Sequence, residues 1–256
     1  MSKITRRAAS AALAVLIGLP ALAPGAEPAA GPDPEATAIL RAMTDYLSAL
    51  PRFSVNGHGV LEVVLTSGQK LQFDNDVTLV VERPNKLVAT RRGEVTEQSL
   101  WFDGETLSLF SPDKGYYATA TGPKTIDAAM DFARDEMDLV APAGDLIYTD
   151  AYATLVADMT AGFVVSPRAW IDGKSCSHLA FRKPGVDLQL WIANGGQPLP
   201  LKYVLTTTDM PSSPQFSVTL TDWNSAPRID PTTFRFTPPA SARRIDFLKP
   251  GAAPAR

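Results

Sequence analysis

The stretch "CSHLAFRKPGVDLQLWIANGGQPLPLK", Cys176 to Lys202, holds the single cysteine, one of the two histidines and one of the four tryptophans. On either side of Pro184-Gly185 its residues alternate between apolar and polar, the pattern of a β-hairpin. The register that keeps both alternations in phase pairs Arg182 with Asp187, Phe181 with Leu188, Leu179 with Leu190 and His178 with Trp191. Leu179, Phe181, Leu188, Leu190 and Ile192 then share one face, while Arg182, Asp187, Gln189, His178 and Trp191 share the other. A slip of one residue would turn the whole apolar set outward, so burial and the Arg182–Asp187 pair select the same register.

The same two-residue period recurs through most of the chain. "FSVNGHGVLEVVLTSGQKLQFDNDVTLVVERPNKLVATRRG" reads as three or four strands broken at Ser67-Gly68, near Asn75 and at Pro84-Asn85. "QSLWFDGETLSLF" reads as a tight hairpin through Asp103-Gly104, and "DKGYYATAT" extends the antiparallel meander. Strands resume in "FVVSPRAWID", "SHLAFRK", "VDLQLWIA", "LPLKYVLTTTD", "QFSVTLTDWN" and "TFRFTPP", each ended by Gly, Pro, Asp or Asn. Roughly ten or eleven strands result, more than a flat sheet usually carries before it curls.

Such a sheet needs a cover on its apolar face. From Glu35 to Leu50, Ala36, Ile39, Leu40, Met43, Leu47 and Leu50 recur at helical spacing behind an Asp33-Pro34 start signal. In "PKTIDAAMDFARDEMDL", Ile126, Met130, Ala133 and Met137 form one stripe, and "AGDLIYTDAYATLVADM" predicts a second short helical region. Two or three helices thus accompany the strands in a mainly β, α+β fold, with the later ones placed as a lid.

At the N-terminus, Lys3, Arg6 and Arg7 precede an apolar run from Ala8 to Ala23, followed by small residues and prolines. Residues 1–26 read as a secretory signal peptide, with cleavage after Ala23 or Ala26 left open. The run is shorter than the ~20 apolar residues of a membrane-spanning helix, and Gly18 and Pro20 interrupt it. Arg6-Arg7 is followed by alanines rather than the bulky apolar residues of a twin-arginine signal, which favours ordinary secretion. The only cysteine lies far from the leader, so a lipid anchor is not expected, and no intramolecular disulfide can form. Residues 27–34 are expected to be a disordered linker, 35–248 a single domain and 249–256 a disordered tail. The net charge of −3, with no basic cluster among aromatics, offers no footprint for nucleic acid or anionic headgroups.

No nucleophile elbow, phosphate loop, His-Glu-x-x-His or Cys-x-x-Cys occurs. No catalytic set, metal site or cofactor is expected. Asp127, Asp131 and Asp135 fall at helical spacing and read as a solvated helix face. His58, between glycines in "NGHG", reads as a loop or bulge residue rather than a base. Cys176 and His178 share a hairpin face two residues apart, and with Asp187 and Trp191 they form the one candidate polar-face site. The plainer reading packs Cys176 as a small apolar residue and stacks His178 on Trp191.

The pattern C-x-H-L-A-F-R, V-D-x-Q-L-W-I and G-x-P-L-P-x-K, together with "LIYTDAYATL" and "FRFTPP", resembles a family of predicted periplasmic proteins of unknown function. The likeness runs from about Leu40 to Ile245. It implies a periplasmic location and a fold like that of the lipoprotein carriers of the LolA, LolB and LppX type, a curved, incomplete antiparallel barrel whose open side helices cover. The element order agrees with that architecture, and no carrier residue maps onto this chain by motif.

In such a shape Ile126, Met130 and Met137 press into an apolar concave face, and methionines suit a pocket that repacks around acyl chains. The expected function is therefore non-enzymatic: a binding or carrier protein for a lipid, a lipidated protein or another apolar molecule. An envelope scaffold that meets a protein partner without a ligand is the alternative, and an enzyme with a site near Cys176 and His178 is the third.

Overall fold

The computed structural model describes residues 31–247 except 138 and 140, so the leader segment and the 249–256 tail lie outside the described residues. In chain order the elements are β1 (Gly31–Pro32), α1 (Pro34–Ala49), β2 (Arg52–Val64), β3 (Lys70–Glu82), β4 (Lys86–Gly93), β5 (Glu97–Phe102), β6 (Thr106–Ser111) and β7 (Tyr116–Thr121). Then come α2 (Ile126–Met137), a 3-10 turn (Gly144–Ile147), α3 (Ala151–Val156), β8 (Ala161–Ile171), β9 (Lys174–Lys183), β10 (Val186–Ala193), β11 (Pro200–Thr207), β12 (Gln215–Asn224) and β13 (Arg243–Arg244).

All the strands join one sheet in the order β1-β8-β9-β10-β11-β12-β2-β3-β4-β5-β6-β7-β13. Two meanders, β2–β7 and β8–β12, are fused where β12 pairs antiparallel with β2, and the lid segment is the link between them in sequence. The sheet stays open, with the two-residue strands β1 and β13 pairing in parallel at its edges. Without those two, eleven strands remain among the described residues, against the roughly ten or eleven expected.

The hairpin register is the one read from sequence: Arg182↔Asp187, Phe181↔Leu188, Leu179↔Leu190 and His178↔Trp191. Leu179, Phe181, Leu188, Leu190 and Ile192 are all buried. They meet α1, whose N-cap Asp33 accepts a hydrogen bond from the Glu35 amide at 2.8 Å, with Pro34 in the first turn. Ala36, Leu40, Met43 and Leu47 are 0–1% exposed. Full burial of each large side chain among them is worth about 1.5–3 kcal/mol, so α1 holds this half of the sheet shut.

A second cluster under α2 contains Phe53, Val81, Leu87, Phe102, Leu107, Ile126, Ala129, Ala133 and Met137. Leu50, Leu220 and Trp223 pack against both clusters. The Trp223 indole lies 5.6 Å from the Phe53 ring and donates its N–H to the Pro200 carbonyl at 2.9 Å, pinning the seam.

Several expectations need correction. No strand break occurs near Asn75: β3 runs unbroken, and Asn75 stands between Gly59 of β2 and Gly93 of β4. A Cβ on Gly59 would lie 2.9 Å from Asn75 Oδ1, so the glycines make room for the amide rather than turning the chain. For the same reason His58 is no loop residue; it sits in mid-strand, opposite Asp76 and Thr219. "TFRFTPP" forms no strand. It crosses the outer face of β5–β7, where the Phe236 ring lies 5.0, 5.9 and 5.5 Å from Trp101, Phe110 and Tyr117. Prolines on both sides of it remove ladder donors, and ring contacts hold it instead. Finally, Gly31 and Pro32, expected in a disordered linker, pair with Ala161 and Gly162.

Candidate functional site

The first meander presents its inner face in rows. The lowest, Phe53, Val81, Leu87, Phe102 and Leu107, is buried beneath the lid. The next, Val55, Leu79, Ala89, Leu100 and Leu109, lines a cavity of about 470 Å3. Above it come Gly57, Val77, Arg91 and Gln98, next Gly59, Asn75 and Gly93, and then Leu61 paired with Phe73 and Phe216. Val218, Leu220 and Trp223 add the wall from the second meander. Leu61, Val63 and Leu65 remain 37–40% exposed, so the apolar face of β2 continues outward as a ramp from the cavity mouth.

The lid is α2 and the segment after it. Its buried stripe is Ile126, Ala129, Ala133 and Met137, all packed into the cluster beneath the helix. Met130 is half-buried and lines the cavity together with Leu139, Ala141, Leu146 and Ile147. Its methyl lies where Gly144 has no side chain: a Cβ there would come 2.9 Å from Met130 Cε. Of the expected lid residues, Met130 faces the cavity, while Ile126 and Met137 are buried in the cluster under α2.

Polar bonds tie α2 to the segment after it. Asp127 Oδ1 accepts from the Thr149 amide and hydroxyl at 3.0 and 3.1 Å, and Asp131 accepts from the Tyr148 hydroxyl at 2.8 Å. Arg134 donates to both Asp131 and Asp135, which raises its pKa, Asp135 contributing most. Asp127 and Asp131 are thus tethers rather than a purely solvated face. Arg83, in the β3–β4 turn, donates to the Ile147 carbonyl at 3.0 Å, and burial lowers its pKa. Among the described residues, no group of three or more His, Cys, Asp and Glu is placed to hold a metal ion.

The candidate polar-face residues take separate roles. His178 stacks on Trp191 with ring centroids 3.9 Å apart and planes 9° from parallel, and its Nε2 donates to Gln189 Oε1 at 3.0 Å. Asp187 accepts a two-pronged bond from Arg182 at 2.6 and 2.7 Å, which lowers its pKa. Cys176 is fully buried. Burial pushes its thiol up and pushes the His178 imidazole down. Both shifts oppose a thiolate–imidazolium pair, the form a nucleophilic cysteine site needs. His58, by contrast, lies between Asp76 and Asp74 at 3.1 and 2.9 Å on the exposed side of the sheet, and these contacts, Asp76 first, raise its pKa.

Sequence reading missed Arg91 and Gln98. Arg91 is the one charged side chain among the described residues that line the cavity, and its Nη2 donates to Gln98 Oε1 at 2.8 Å. The signal was present: in Leu87-x-Ala89-x-Arg91 the arginine stands on the apolar parity of its strand.

Among the described residues no helix is long and apolar enough to cross a membrane. The chain resembles solved structures of LprF from Mycobacterium bovis (16% identity, 83% of this chain and 100% of that one, TM-score 0.49) and of the lipoprotein LppX from Mycobacterium tuberculosis (16%, 77% and 100%, TM-score 0.45). It also resembles a LolA superfamily protein from Nitrosomonas europaea (12%, 78% and 97%, TM-score 0.39). A sequence comparison with curated proteins gives no match. The family model described as "Predicted periplasmic protein (DUF2092)" matches residues 36–248, most of the chain, so the protein belongs to that periplasmic family.

Proposed function

We propose that this protein is a non-enzymatic periplasmic binding or carrier protein, a single domain over residues 35–248. Its cargo is a lipid, a lipoprotein acyl chain or another apolar molecule held between the concave sheet and the lid. The observation that carries this reading is the cavity: its volume falls within the roughly 300–1,000 Å3 of small-molecule sites, and its walls are largely aliphatic. The exposed ramp of Leu61, Val63 and Leu65 suits the entry of an acyl chain. The opposed shifts of Cys176 and His178 argue against covalent chemistry there.

Uptake of an environment-sensitive apolar dye tests the reading. Met130→Asp places a charge on the cavity wall and should weaken uptake at least about tenfold while the circular-dichroism signal of the sheet persists. Undiminished binding by the folded variant would refute the reading.

A second reading, an envelope partner protein, is favoured by one observation. Phe163 and Val165 on β8 are 55% and 46% exposed beside an edge that, among the described residues, β1 covers over two residues. A partner strand or apolar surface would bury them.

A further inference from the structure

Arg91 is a partly exposed guanidinium and the one charged side chain among the described residues on the cavity wall, open to an anion that can pair with it. Its only hydrogen bond among the described residues goes to the neutral Gln98, and no described residue lining the cavity is acidic. Arg91↔Gln98 is the pair before the last in the β4–β5 ladder, so the guanidinium stands near the turn that joins these strands. It stands one row above Ala89 and Leu100 and two rows below the level of Phe73, with Val77 beside it.

We propose that the cavity selects an amphiphile with one anionic head, a carboxylate or a phosphate, that pairs with Arg91. The aliphatic tail then lies in the row of Val55, Leu79, Ala89, Leu100 and Leu109 beneath Met130. Gln98 is a positioning residue: by accepting from Nη2 it holds the guanidinium plane toward the cavity, so the remaining N–H groups can meet two oxygens of the head. This inference rests on the carrier reading and narrows it from apolar ligands in general to anionic ones.

The test is displacement of a neutral apolar dye by oleate, oleyl phosphate and methyl oleate, each below its micelle-forming concentration, from the wild-type protein and from Arg91→Met and Arg91→Lys. The wild-type protein should bind at least one of the two anions roughly tenfold more tightly than methyl oleate, as expected for a charge-assisted pair in a partly dry site. The tighter of the two identifies the head. Arg91→Met should erase the gap between the anions and the ester, and Arg91→Lys should keep part of it.

Equal binding of anions and ester by the wild-type protein, or an unchanged gap in folded Arg91→Met, would overturn the inference while leaving the carrier reading standing. Failure of the dye and all three competitors to bind would overturn both.

Discussion

Beneath α1, Leu40, Met43 and Leu47 fill the space over β9–β11, and Leu179, Leu188, Leu190 and Tyr203 meet them with at most 3% exposure. Over the first meander, the cavity is roofed by Met130 with the small residues Ala141, Ala143 and Gly144, and the sheet opposite offers Gly57 and Ala89. The two halves share one sheet and one strategy of helical cover. They differ in the side-chain volume of the cover: the large residues of α1 fill one half, whereas Met130 and the small residues Ala141, Ala143 and Gly144 roof the other, which encloses a cavity.

Truncation should separate the halves most strongly. Leu40→Ala should destabilise the protein by about 2–5 kcal/mol, the usual range for a fully buried leucine, whereas Leu100→Ala, already facing the cavity, should lose less than about 1 kcal/mol. Denaturant midpoints of the two variants measure this, and equal losses would erase the distinction.

Filling the cavity should have the converse effect. Ala89→Phe directs a ring into the space beneath Met130, so dye binding should fall about tenfold or more. The loss of about 1–3 kcal/mol that follows overpacking of a tight core should not accompany it. A large stability loss with binding retained would mean that Ala89 faces packed core.

Thiol accessibility reports on the other face of the filled half, where Cys176 is fully buried. Cys176 should resist a thiol reagent in the native protein and react only at the rate of global opening, so adding denaturant below the transition should set the rate. Rapid native labelling would contradict its burial.

The smallest effects come from the two histidines, which titrate in opposite senses. His58 has its folded pKa raised above the ordinary value of about 6.5, so its contribution to stability is present below that value and lost as pH rises through the folded pKa. His178 has its folded pKa lowered, so its contribution is present above about 6.5 and lost as pH falls through the folded pKa. His58→Gln should therefore flatten the alkaline side of the stability profile and His178→Gln the acid side. For the exposed His58 contacts the change should be roughly 0.2–1 kcal/mol. Denaturant midpoints across this pH range give the slopes, and slopes of the same sign would contradict the assigned contacts.

How much of this was legible in the sequence depended on how local each determinant is. The β9–β10 register could be read because period-two alternation and the Arg182–Asp187 pair agree over adjacent residues. Gly57 and Gly59 misled because glycine signals a turn when read alone, whereas here side chains from neighbouring strands approach it; a Cβ on Gly57 would lie 3.0 Å from Val218. "TFRFTPP" alternates like a strand, but its partners are aromatic rings more than a hundred residues away in sequence. The apolar stripe of α2 was legible, yet which methionine meets the cavity depends on how Gly144 lets the helix seat. Arg91 stands on the apolar parity of its strand in the sequence, but only its row partners show that this parity faces a cavity.

The central claim is that the half beneath α2 holds a ligand. The most direct test is mass spectrometry of the mature protein taken from its own periplasm, measured native and then after organic extraction, beside Ala89→Phe. A stoichiometric adduct that extracts as an acyl-bearing molecule, and that is lost in Ala89→Phe, is the predicted result. A bare protein mass, under conditions that retain lipid in a known carrier, would contradict it.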